Sequence, residues 1–306
     1  MLRRPPCPAP RRARTAGTRA VAGAIALLGA LVACADGPTS ASPLAAPADR
    51  PSFITGNYTA DYEHTWVGLV VFYDAAGAFV GRCSGSLISP TVFLTAGHCV
   101  EGATSARVYF AQDAGARYDP AKQLDPVTGY PDTCLPQPSP CVTSDELYNY
   151  GYPAGFPDTH DVGLVILDAP VTTVGYGELA PAGTLDALAT RRGRQDLTFV
   201  SSGYGLSRIR PTQVVSFRER LMASAQLVNL RSALTDGFNV QTSANPGGGR
   251  GGTCFGDSGG PLLYQGQIVG VTSFGLNGNC VGVDFAYRVD RAAVQAWIEG
   301  ITGAPL

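Results

Sequence analysis

The chain consists of short apolar segments separated by clusters of glycine, proline and aspartate, and this pattern constrains its fold most. Of its 306 residues 38 are glycine, and such frequent turn residues favour short strands over long helices. Many short strands of this kind indicate an all-β barrel or sandwich. The predicted strands form two groups of four, at 66–73, 82–89, 106–110 and 163–167, and at 197–202, 223–230, 267–273 and 285–289.

One helix is predicted, at the C-terminus. Val294, Trp297, Ile298 and Ile301 recur at the spacing of one helix face, and an apolar stripe of this kind usually packs against a core. Asp290 precedes the stripe and can cap the first turn. We therefore expect an amphipathic helix whose apolar face is a packing surface.

Residues 254–261, with the sequence CFGDSGGP, predict a tight loop. Glycine permits backbone turns that a side chain would forbid, so several amide hydrogens can converge beside the Ser258 hydroxyl. Serine alone is a weak nucleophile, and catalysis requires a base together with a group that orients this base. Without such partners, Ser258 would be an ordinary turn residue.

The chain supplies both partners. His98 stands in the sequence LTAGHC, and Asp161 stands in HDVGLV, where an acid leads into an apolar run. A buried structural histidine and a strand-capping aspartate are the alternative interpretations of these two residues. The chain has three histidines in all. His64 is predicted to be structural, and His160 to lie at the surface or beside the site.

With the three motifs in the order His, Asp, Ser, the chain resembles the chymotrypsin/trypsin-like serine proteases over about residues 54–301. The resemblance implies an all-β fold of two packed six-stranded antiparallel β-barrels with a C-terminal α-helix. It also implies a serine endopeptidase that hydrolyses peptide bonds through an acyl-enzyme intermediate.

The resemblance assigns a catalytic role to each motif residue. Ser258 is the expected nucleophile, His98 the base that takes its proton, and Asp161 the carboxylate that orients the imidazole. The amides of Gly256 and Ser258 are expected to form the oxyanion hole. Ser273 is expected to hydrogen-bond Asp161, in a strand that pairs with the substrate backbone.

The resemblance leaves the substrate preference open. Gly252 stands where trypsin-like members carry an acid, so a preference for Arg or Lys is not supported at that position. Asp284 stands at a pocket-wall position that is usually glycine, and a basic substrate side chain could pair with it, because an unpaired buried carboxylate is costly. An exposed turn aspartate and a large apolar guest are the alternatives. The expected pocket residues are Gly252, Thr253, Phe255, Ser273, Phe274, Gly275 and Asp284.

Family members usually bury a new N-terminal amine against the acid that precedes the serine, here Asp257. The expected new N-terminus is Ile54, in the sequence ITGN, which follows Phe53 and lies shortly after Arg50. Cleavage before Ile54 is therefore predicted to order the oxyanion hole.

The N-terminus has the features of an export signal. Residues 1–33 carry six arginines and no acid, and end in an apolar run of 13 residues at 21–33, too short for the roughly 20 residues that span a bilayer. The sequence LVAC resembles a lipobox, which predicts a signal peptide at 1–34 and a lipid on Cys34. Ordinary cleavage after Ala35 is the alternative. Residues 35–53, rich in Ala, Pro and Ser, predict a disordered linker or propeptide, and 54–302 the protease domain.

The chain contains eight cysteines. Cys7 leaves with the signal peptide and Cys34 is lost or acylated, so six remain, and six cysteines can pair in 15 ways. An exported protein keeps disulfides. The resemblance implies Cys83–Cys99 and Cys254–Cys280, which leaves Cys134–Cys141. No C-x-x-C pair occurs, so neither a metal site nor a cofactor is expected.

Residues 111–159 form a long polar connection, expected to be a surface insertion without a catalytic role, although it could also shape the cleft or hold a structural calcium ion through its acids. The 24 acidic residues all lie after the basic N-terminal segment, and an acidic body excludes the usual electrostatics of nucleic-acid binding. We expect a monomer outside the cytoplasm, secreted or anchored in a bacterial cell envelope, with protein or peptide substrates and with membrane contact only through the lipid.

Two other functions remain open. A noncatalytic protease homologue would use the same surface as a protein-binding module. A hydrolase of non-peptide esters is favoured less, because its G-x-S-x-G motif should precede a helix, whereas Pro261 and a strand-like segment follow here.

Overall fold

The computed structural model describes residues 57–114, 134, 141–188, 197–210, 213–215, 218–243, 245 and 249–304, with only the backbone of 208–210 and 213–215. The predictions on the signal peptide, the lipid at Cys34, the linker and cleavage before Ile54 fall outside these residues. No helix in the described part is long and apolar enough to cross a membrane.

Strands dominate the described structure. Two α-helices, α1 (Gly97–Val100) and α2 (Ala292–Thr302), and a 3₁₀ turn at Asp186–Leu188 accompany them. The strands are β1 (Thr59–Ala60), β2 (Val67–Tyr73), β3 (Phe79–Leu87), β4 (Val92–Thr95), β5 (Ser105–Tyr109), β6 (Cys141–Ser144), β7 (Glu146–Asn149), β8 (Gly163–Ile166), β9 (Thr198–Gly203), β10 (Arg208–Arg210), β11 (Gln213–Val215), β12 (Leu221–Asn229), β13 (Asn239–Ser243), β14 (Pro261–Tyr264), β15 (Gln267–Gly275) and β16 (Val283–Arg288).

The first half of the chain forms a nearly closed antiparallel barrel in the order β6-β5-β2-β3-β4-β8-β7. Its first and last strands are consecutive in sequence, with only Asp145 between them, so a single residue joins the two ends of the sheet. Counted as one bent strand, β6 and β7 bring this barrel to the predicted six strands. Its core contains Leu69, Phe72, Phe93 and Leu164, all fully buried.

The second half forms a closed barrel. Six strands follow one another in the order β12-β13-β16-β15-β14-β9, and β9 pairs again with β12. The short strand β1 adds to β12 at Thr59 and Ala60. Small and apolar side chains fill the interior, among them Phe199, Val240 and Val269. The predicted two-barrel all-β fold is therefore confirmed.

All eight predicted strands are present, with ends shifted by a few residues, but several short strands were not predicted. Strands β6 and β7 lie inside the stretch 111–159, so the interpretation of that whole stretch as a surface insertion is wrong. Their sequences, CVTS and ELYN, have no apolar alternation. They are strands because they pair with β5 and β8, a long-range contact that local pattern does not report.

The C-terminal helix is confirmed, but its predicted cap is wrong. Val294 and Ile298 are fully buried against the core. The residue at the N-cap is Arg291, which provides no side-chain hydrogen bond. The Asp290 carboxylate instead binds the Arg288 guanidinium at 2.8 Å and accepts the Leu185 amide at 2.7 Å. A buried cation competes successfully for this carboxylate.

The three expected disulfides are present in the structure: Cys83–Cys99, Cys134–Cys141 and Cys254–Cys280. The first joins β3 to α1, where His98 lies, and the last joins the serine loop to the segment before β16. Two of the three bonds thus tie down backbone beside the predicted site.

A buried polar network connects the two barrels. The Arg220 guanidinium donates to the carbonyls of Asp61 at 2.9 Å and of Val67 and Phe110 at 3.2 Å. The Asp61 carboxylate accepts hydrogen bonds from the His64 ring at 2.9 Å and from the Ser202 hydroxyl. These contacts support the structural role predicted for His64.

Candidate active site

Contacts from both barrels hold the loop that carries Ser258. The amide of Ser84, in β3, donates to the Ser258 carbonyl at 2.8 Å, and the Ser84 hydroxyl donates to the Gly256 carbonyl at 2.8 Å. On the other side, the Gly259 amide donates to the Thr272 carbonyl in β15 at 2.7 Å. The loop therefore has a defined position at the junction of the barrels.

Two glycines of this loop are required by its geometry. Gly256 has φ +98° and Gly259 has φ +78°, in the left-handed region that L side chains rarely adopt. A Cβ on Gly259 would also overlap the Thr95 hydroxyl and lie 2.5 Å from the Ser84 carbonyl oxygen. The glycine-rich sequence thus allows the loop to pack directly against the first barrel.

The first barrel supplies a histidine–aspartate pair. His98 lies in α1, directly after β4, and Asp161 lies two residues before β8. The His98 ring is bonded through Nδ1 to Asp161 Oδ2 at 2.9 Å, and the His98 amide donates to Asp161 Oδ1 at 2.8 Å. The Ser273 hydroxyl donates to the same carboxylate. Asp161 is only 1% exposed, so these donors replace its hydration and fix the imidazole through Nδ1. The other ring nitrogen, Nε2, is not bonded to Asp161 and lies 3.6 Å from Cys99 Sγ.

His98 and Ser258 line one cleft of about 420 Å³. In the described part of the chain no hydrogen bond joins the Ser258 hydroxyl to the His98 ring, and in free enzymes such catalytic contacts are often long. The expected pocket residues Thr253, Phe255, Ser273, Phe274, Gly275 and Asp284 line the same cleft. Gly252 lies on a separate, smaller cavity instead.

Asp284 is a buried carboxylate at the wall of the cleft. It lies in β16 opposite Gly275 and is 6% exposed, so its interpretation as an exposed turn residue is wrong. Its side chain accepts the Thr253 amide at 2.6 Å. Burial raises the pKa of Asp284 to about 6, although the hydrogen bond from Thr253 opposes this rise.

Exposed apolar side chains surround the cleft. Phe255 and Leu276 line it and are 58% and 55% exposed. Phe156, which is 62% exposed, packs edge-on against Phe274, with ring centroids 5.1 Å apart. Phe156 was not predicted as a site residue, because it lies in the 111–159 stretch and only the fold brings it to Phe274.

Asp257 faces away from this cleft. Its carboxylate accepts the amides of Gly205 at 2.8 Å and Cys254 at 2.9 Å. Burial raises the pKa of Asp257 to about 6, while the two hydrogen bonds and the charge of Arg82 oppose the rise. It lines a cavity of about 30 Å³ together with Tyr58, which lies four residues after Ile54.

Other residues near the site differ in what they can bind. His160, predicted to lie at the surface or beside the site, is partly exposed, and its Nε2 lies 3.3 Å from Asp158 Oδ2. Among the described residues, the cluster with metal-ligand spacing is Cys83, His98 and Cys99. Its two sulfurs form a disulfide, so this cluster offers no thiolate ligand.

Sequence reasoning missed Ser84 and Thr95 as support for the serine loop. Both are fully buried, and the Thr95 hydroxyl donates to the Ser84 carbonyl at 2.8 Å. For Thr95 the signal in the sequence was a polar residue after the apolar Val92, Phe93 and Leu94 of β4, because a buried polar residue requires a partner. Ser84 carried no such signal, since β3 also contains Arg82 and Ser86.

Comparison with known proteins agrees with this fold. The family model described as Trypsin matches residues 54–298. Serine protease 7 of Drosophila melanogaster is 30% identical over 230 residues, which cover 72% of this chain and 57% of the fly protein. Brachyurin of Leptuca pugilator is 31% identical over 202 residues, 65% of this chain and 77% of the crab protein. HL collagenase, a solved structure, superposes with a TM-score of 0.61 at 19% identity, over 83% of this chain and 100% of its own.

Proposed function

Because the chain belongs to the trypsin family of serine proteases, we propose that it is an endopeptidase with Ser258 as its nucleophile. The observation that carries this proposal is that His98 and Ser273, which both bond the buried Asp161 carboxylate, line one cleft with Ser258. The substrates are peptide bonds in proteins or peptides.

The reaction proceeds in two acyl-transfer steps. The Ser258 oxygen attacks the carbonyl carbon, and its proton passes to His98 Nε2 while Asp161 stabilises the resulting imidazolium. The tetrahedral intermediate collapses when His98 returns the proton to the leaving amine, and an ester to Ser258 remains. Water then attacks this ester by the same proton transfers, which releases the acid and restores the serine.

The amides of Gly256 and Ser258 are the proposed oxyanion donors. Neither amide donates to another described residue, and the loop that carries them is held by Ser84 and Thr272. Fixed donors that face a developing charge need no reorganisation, and loss of one such donor typically costs about 3–4 kcal/mol of transition-state stabilisation.

Asp284 supports a substrate with a basic side chain before the scissile bond. Its carboxylate is buried, has the Thr253 amide as its hydrogen-bond donor and lines the cleft, so a guest cation would relieve its desolvation. The apolar rim with Phe255 and Phe274 suits a large apolar guest as the alternative.

The cavity beside Asp257 supports activation by a new N-terminus. An amine at Ile54 could enter the cavity that Tyr58 and Asp257 line and pair with the Asp257 carboxylate. Among the described cations, Arg82 is the one whose charge acts on this carboxylate. N-terminal sequencing of the active protein checks this step, and a start far upstream of Ile54 would contradict it.

Export remains part of the proposal. A signal peptide at 1–34, a lipid on Cys34 and a location outside the cytoplasm agree with three disulfides, since disulfides persist in oxidising compartments. A monomer is the proposed state. Mass spectrometry of the mature N-terminus distinguishes a lipidated Cys34 from cleavage after Ala35.

A fluorophosphonate probe and a peptide library test the proposed function together. The wild-type protein should be labelled at Ser258 and should cleave peptides, whereas Ser258→Ala should do neither. A well-folded wild-type protein, sequenced to confirm that it is processed, that neither labels nor cleaves would instead support the noncatalytic protein-binding function. Cleavage of esters but not peptides would support an esterase, although β14 rather than a helix follows the serine loop.

A further inference from the structure

Residues 152–160, which we call the strap, lie between β7 and β8 of the first barrel and reach across to the second barrel. The side-chain amide of Asn239, in β13, donates to the Pro157 carbonyl at 2.8 Å. The hydroxyl of Tyr287, in β16, donates to Asp158 Oδ1. Two side chains of the second barrel therefore hold two neighbouring residues of the strap.

The donor that holds Asp158 is itself fixed. Tyr287 is fully buried, and burial together with its hydrogen bond to Asp158 raises the pKa of the Tyr287 phenol, so the hydroxyl keeps its proton. Arg291 Nη1 donates to the Tyr287 hydroxyl at 2.9 Å and lies 3.4 Å from Asp158 Oδ1. The Arg291 guanidinium also lies over the Phe238 ring, 4.2 Å from its centroid. Asp158 therefore has a rigid anchor outside the first barrel.

The second oxygen of the Asp158 carboxylate faces His160. His160 Nε2 lies 3.3 Å from Asp158 Oδ2. On another side, the His160 ring lies 4.9 Å from the Tyr150 ring, which lies 5.1 Å from the Trp297 ring of α2. The backbone of His160 has φ +53°, in the left-handed region that residues other than glycine seldom adopt. Contacts of the side chain thus hold His160 in a backbone conformation that is unfavourable by itself.

His160 directly precedes Asp161 in the chain. The His160 carbonyl accepts the Val162 amide at 2.9 Å, so Asp161 lies at the centre of a tight turn. The Val162 carbonyl in turn accepts the Tyr150 amide at 2.9 Å, which fixes the far side of the turn. A change in the φ angle of His160 would redirect the Asp161 carboxylate away from the His98 ring, which it bonds at 2.9 Å. The conformation of His160 therefore determines where this carboxylate points.

The proposed nucleophile and its base lie on different barrels. His98 follows β4 and Asp161 precedes β8 of the first barrel, whereas Ser258 precedes β14 of the second. Ser273, in β15, makes one direct contact between the barrels at Asp161, and the strap adds others next to it. Proton transfer requires the groups to lie within hydrogen-bond reach, and a misplacement of about 1 Å can cost about 100-fold in rate. Contacts that align the barrels at Asp161 therefore affect the reaction.

We propose that Asp158 is a positioning residue for Asp161: anchored by Tyr287 on the second barrel, it holds His160 and thereby sets the direction of the Asp161 carboxylate. This inference rests on the proposed endopeptidase function. A carboxylate suits the position because one oxygen accepts the Tyr287 hydroxyl while the other remains for His160. Asp158 is absent from the residues that line the cleft, so it acts through Asp161.

A small fluorophosphonate measures the reactivity of Ser258 without a peptide side chain in the pocket. The second-order rate constant of labelling should fall about tenfold in Asp158→Ala, because the groups lose their alignment. It should fall about threefold in Tyr287→Phe, which removes one hydrogen bond, and Asp158→Asn, which keeps an acceptor for Tyr287, should retain more activity than Asp158→Ala. Tyr148→Phe is the matched control: it removes a hydroxyl that donates to the Glu146 carboxylate at 2.6 Å, but within β7, and should label at the wild-type rate.

Proton NMR separates positioning from a general loss of stability. The Nδ1 protons of His98 and His64, each bonded to an aspartate, should give low-field resonances, assigned by their absence in His98→Ala and His64→Ala. In Asp158→Ala and Tyr287→Phe, well below the unfolding temperature, the His98 resonance should shift or broaden while the His64 resonance stays unchanged. A loosened fold would instead alter both resonances.

The outcomes distinguish failure of this inference from failure of the proposed function. If wild type labels and cleaves, and Tyr287→Phe and Asp158→Ala do so at the same rate, the positioning role is wrong and the endopeptidase proposal stands. The same conclusion follows if labelling slows without a change specific to the His98 resonance, or slows equally in Tyr148→Phe. If Asp158→Ala folds poorly, Tyr287→Phe and Asp158→Asn give the reading. A wild-type protein that neither labels nor cleaves contradicts the proposed function itself.

Discussion

At the scale of single residues, two aspartates in this chain hold a histidine in the same way. Asp161 accepts the His98 amide, the His98 ring and the Ser273 hydroxyl. Asp61 accepts the His64 amide, the His64 ring and the Ser202 hydroxyl. A buried Asp–His–Ser arrangement is therefore not sufficient for a site. His98 differs because it shares a cleft with Ser258.

This comparison supplies a matched mutation. Ser258→Ala and His98→Ala should each lower kcat about a million-fold, and the double variant should lose little more, because the residues act as one unit. His64→Ala should retain kcat within about tenfold, since it lies outside the cleft, even where it lowers stability. Steady-state kinetics with the best library peptide measures both, and an equal loss in His64→Ala would contradict the assignment.

Asp284→Asn tests the pocket wall without a change in shape. If a basic side chain pairs with Asp284, kcat/KM for an Arg peptide should fall about 100-fold relative to its Phe counterpart, as expected for a lost buried charge partner. Asp168→Asn, an exposed aspartate bonded to the Thr143 hydroxyl, is the control. An unchanged Arg-to-Phe ratio in Asp284→Asn would assign the pocket to apolar guests.

At the scale of elements, strand β3 is the support of the serine loop. Ser84 donates to the Gly256 carbonyl and accepts the Tyr204 amide at 2.8 Å, so one hydroxyl joins β3, the serine loop and the segment after β9. Two positions further along β3, Ser86 is equally buried, but its hydroxyl has no partner in the described structure. The two serines are equally buried, but the Ser84 hydroxyl makes two hydrogen bonds and the Ser86 hydroxyl makes none in the described structure.

This difference predicts opposite results for two alanine variants. Ser84→Ala removes the hydroxyl that donates to the Gly256 carbonyl and accepts the Tyr204 amide, which should cost about 1–3 kcal/mol of unfolding free energy and, through a looser oxyanion loop, about tenfold or more in kcat. Ser86→Ala should affect kcat by less than twofold. Urea unfolding and single-turnover kinetics provide the measurements, and equal kcat in the two variants would remove Ser84 from its supporting role.

At the scale of the whole molecule, buried carboxylates give stability two opposing pH dependences. Burial alone would raise the pKa of Asp61, but hydrogen bonds from His64 and Ser202 lower it to about 2. Asp61 therefore contributes stability above its ordinary pKa of 3.8, and this contribution is lost as the pH falls through 2. Asp284, with its pKa raised to about 6, has the opposite sign, so its stability contribution is full below pH 3.8 and is lost as the pH rises through 6.

Thermal unfolding of Asp284→Asn tests the second dependence. A shift from 3.8 to about 6 corresponds to up to about 3 kcal/mol, so this variant should be more stable than wild type at pH 8 and indistinguishable from it at pH 4. Asp61→Asn should instead be less stable than wild type at pH 7. A variant Asp284→Asn with the same stability difference at both pH values would show that the carboxylate is not destabilised by burial.

The site and the fold class were predicted mostly from short local motifs. The serine loop, His98 and Asp161 each lie in a short sequence whose residue types are specific to their chemistry, so the site and fold class followed from the sequence and its resemblance. The Asp290 cap failed because the position before a helix does not report a buried Arg288. Asp284 stayed ambiguous, because burial depends on strands that are distant in sequence.

The sequence by itself therefore determined the all-β class, the candidate nucleophile with its partners, and the glycines that let the serine loop turn, because these depend on backbone freedom and residue chemistry within a few positions. The two-barrel architecture came from the family resemblance that these motifs carry. The tertiary structure alone decided that β6 and β7 complete the first barrel, that Asp284 is buried beside the cleft, and that Tyr287 of the second barrel holds Asp158. These features arise from contacts between segments more than ten residues apart. The free energy of each such contact depends on which residues the folded barrels bring together, and local sequence does not report this.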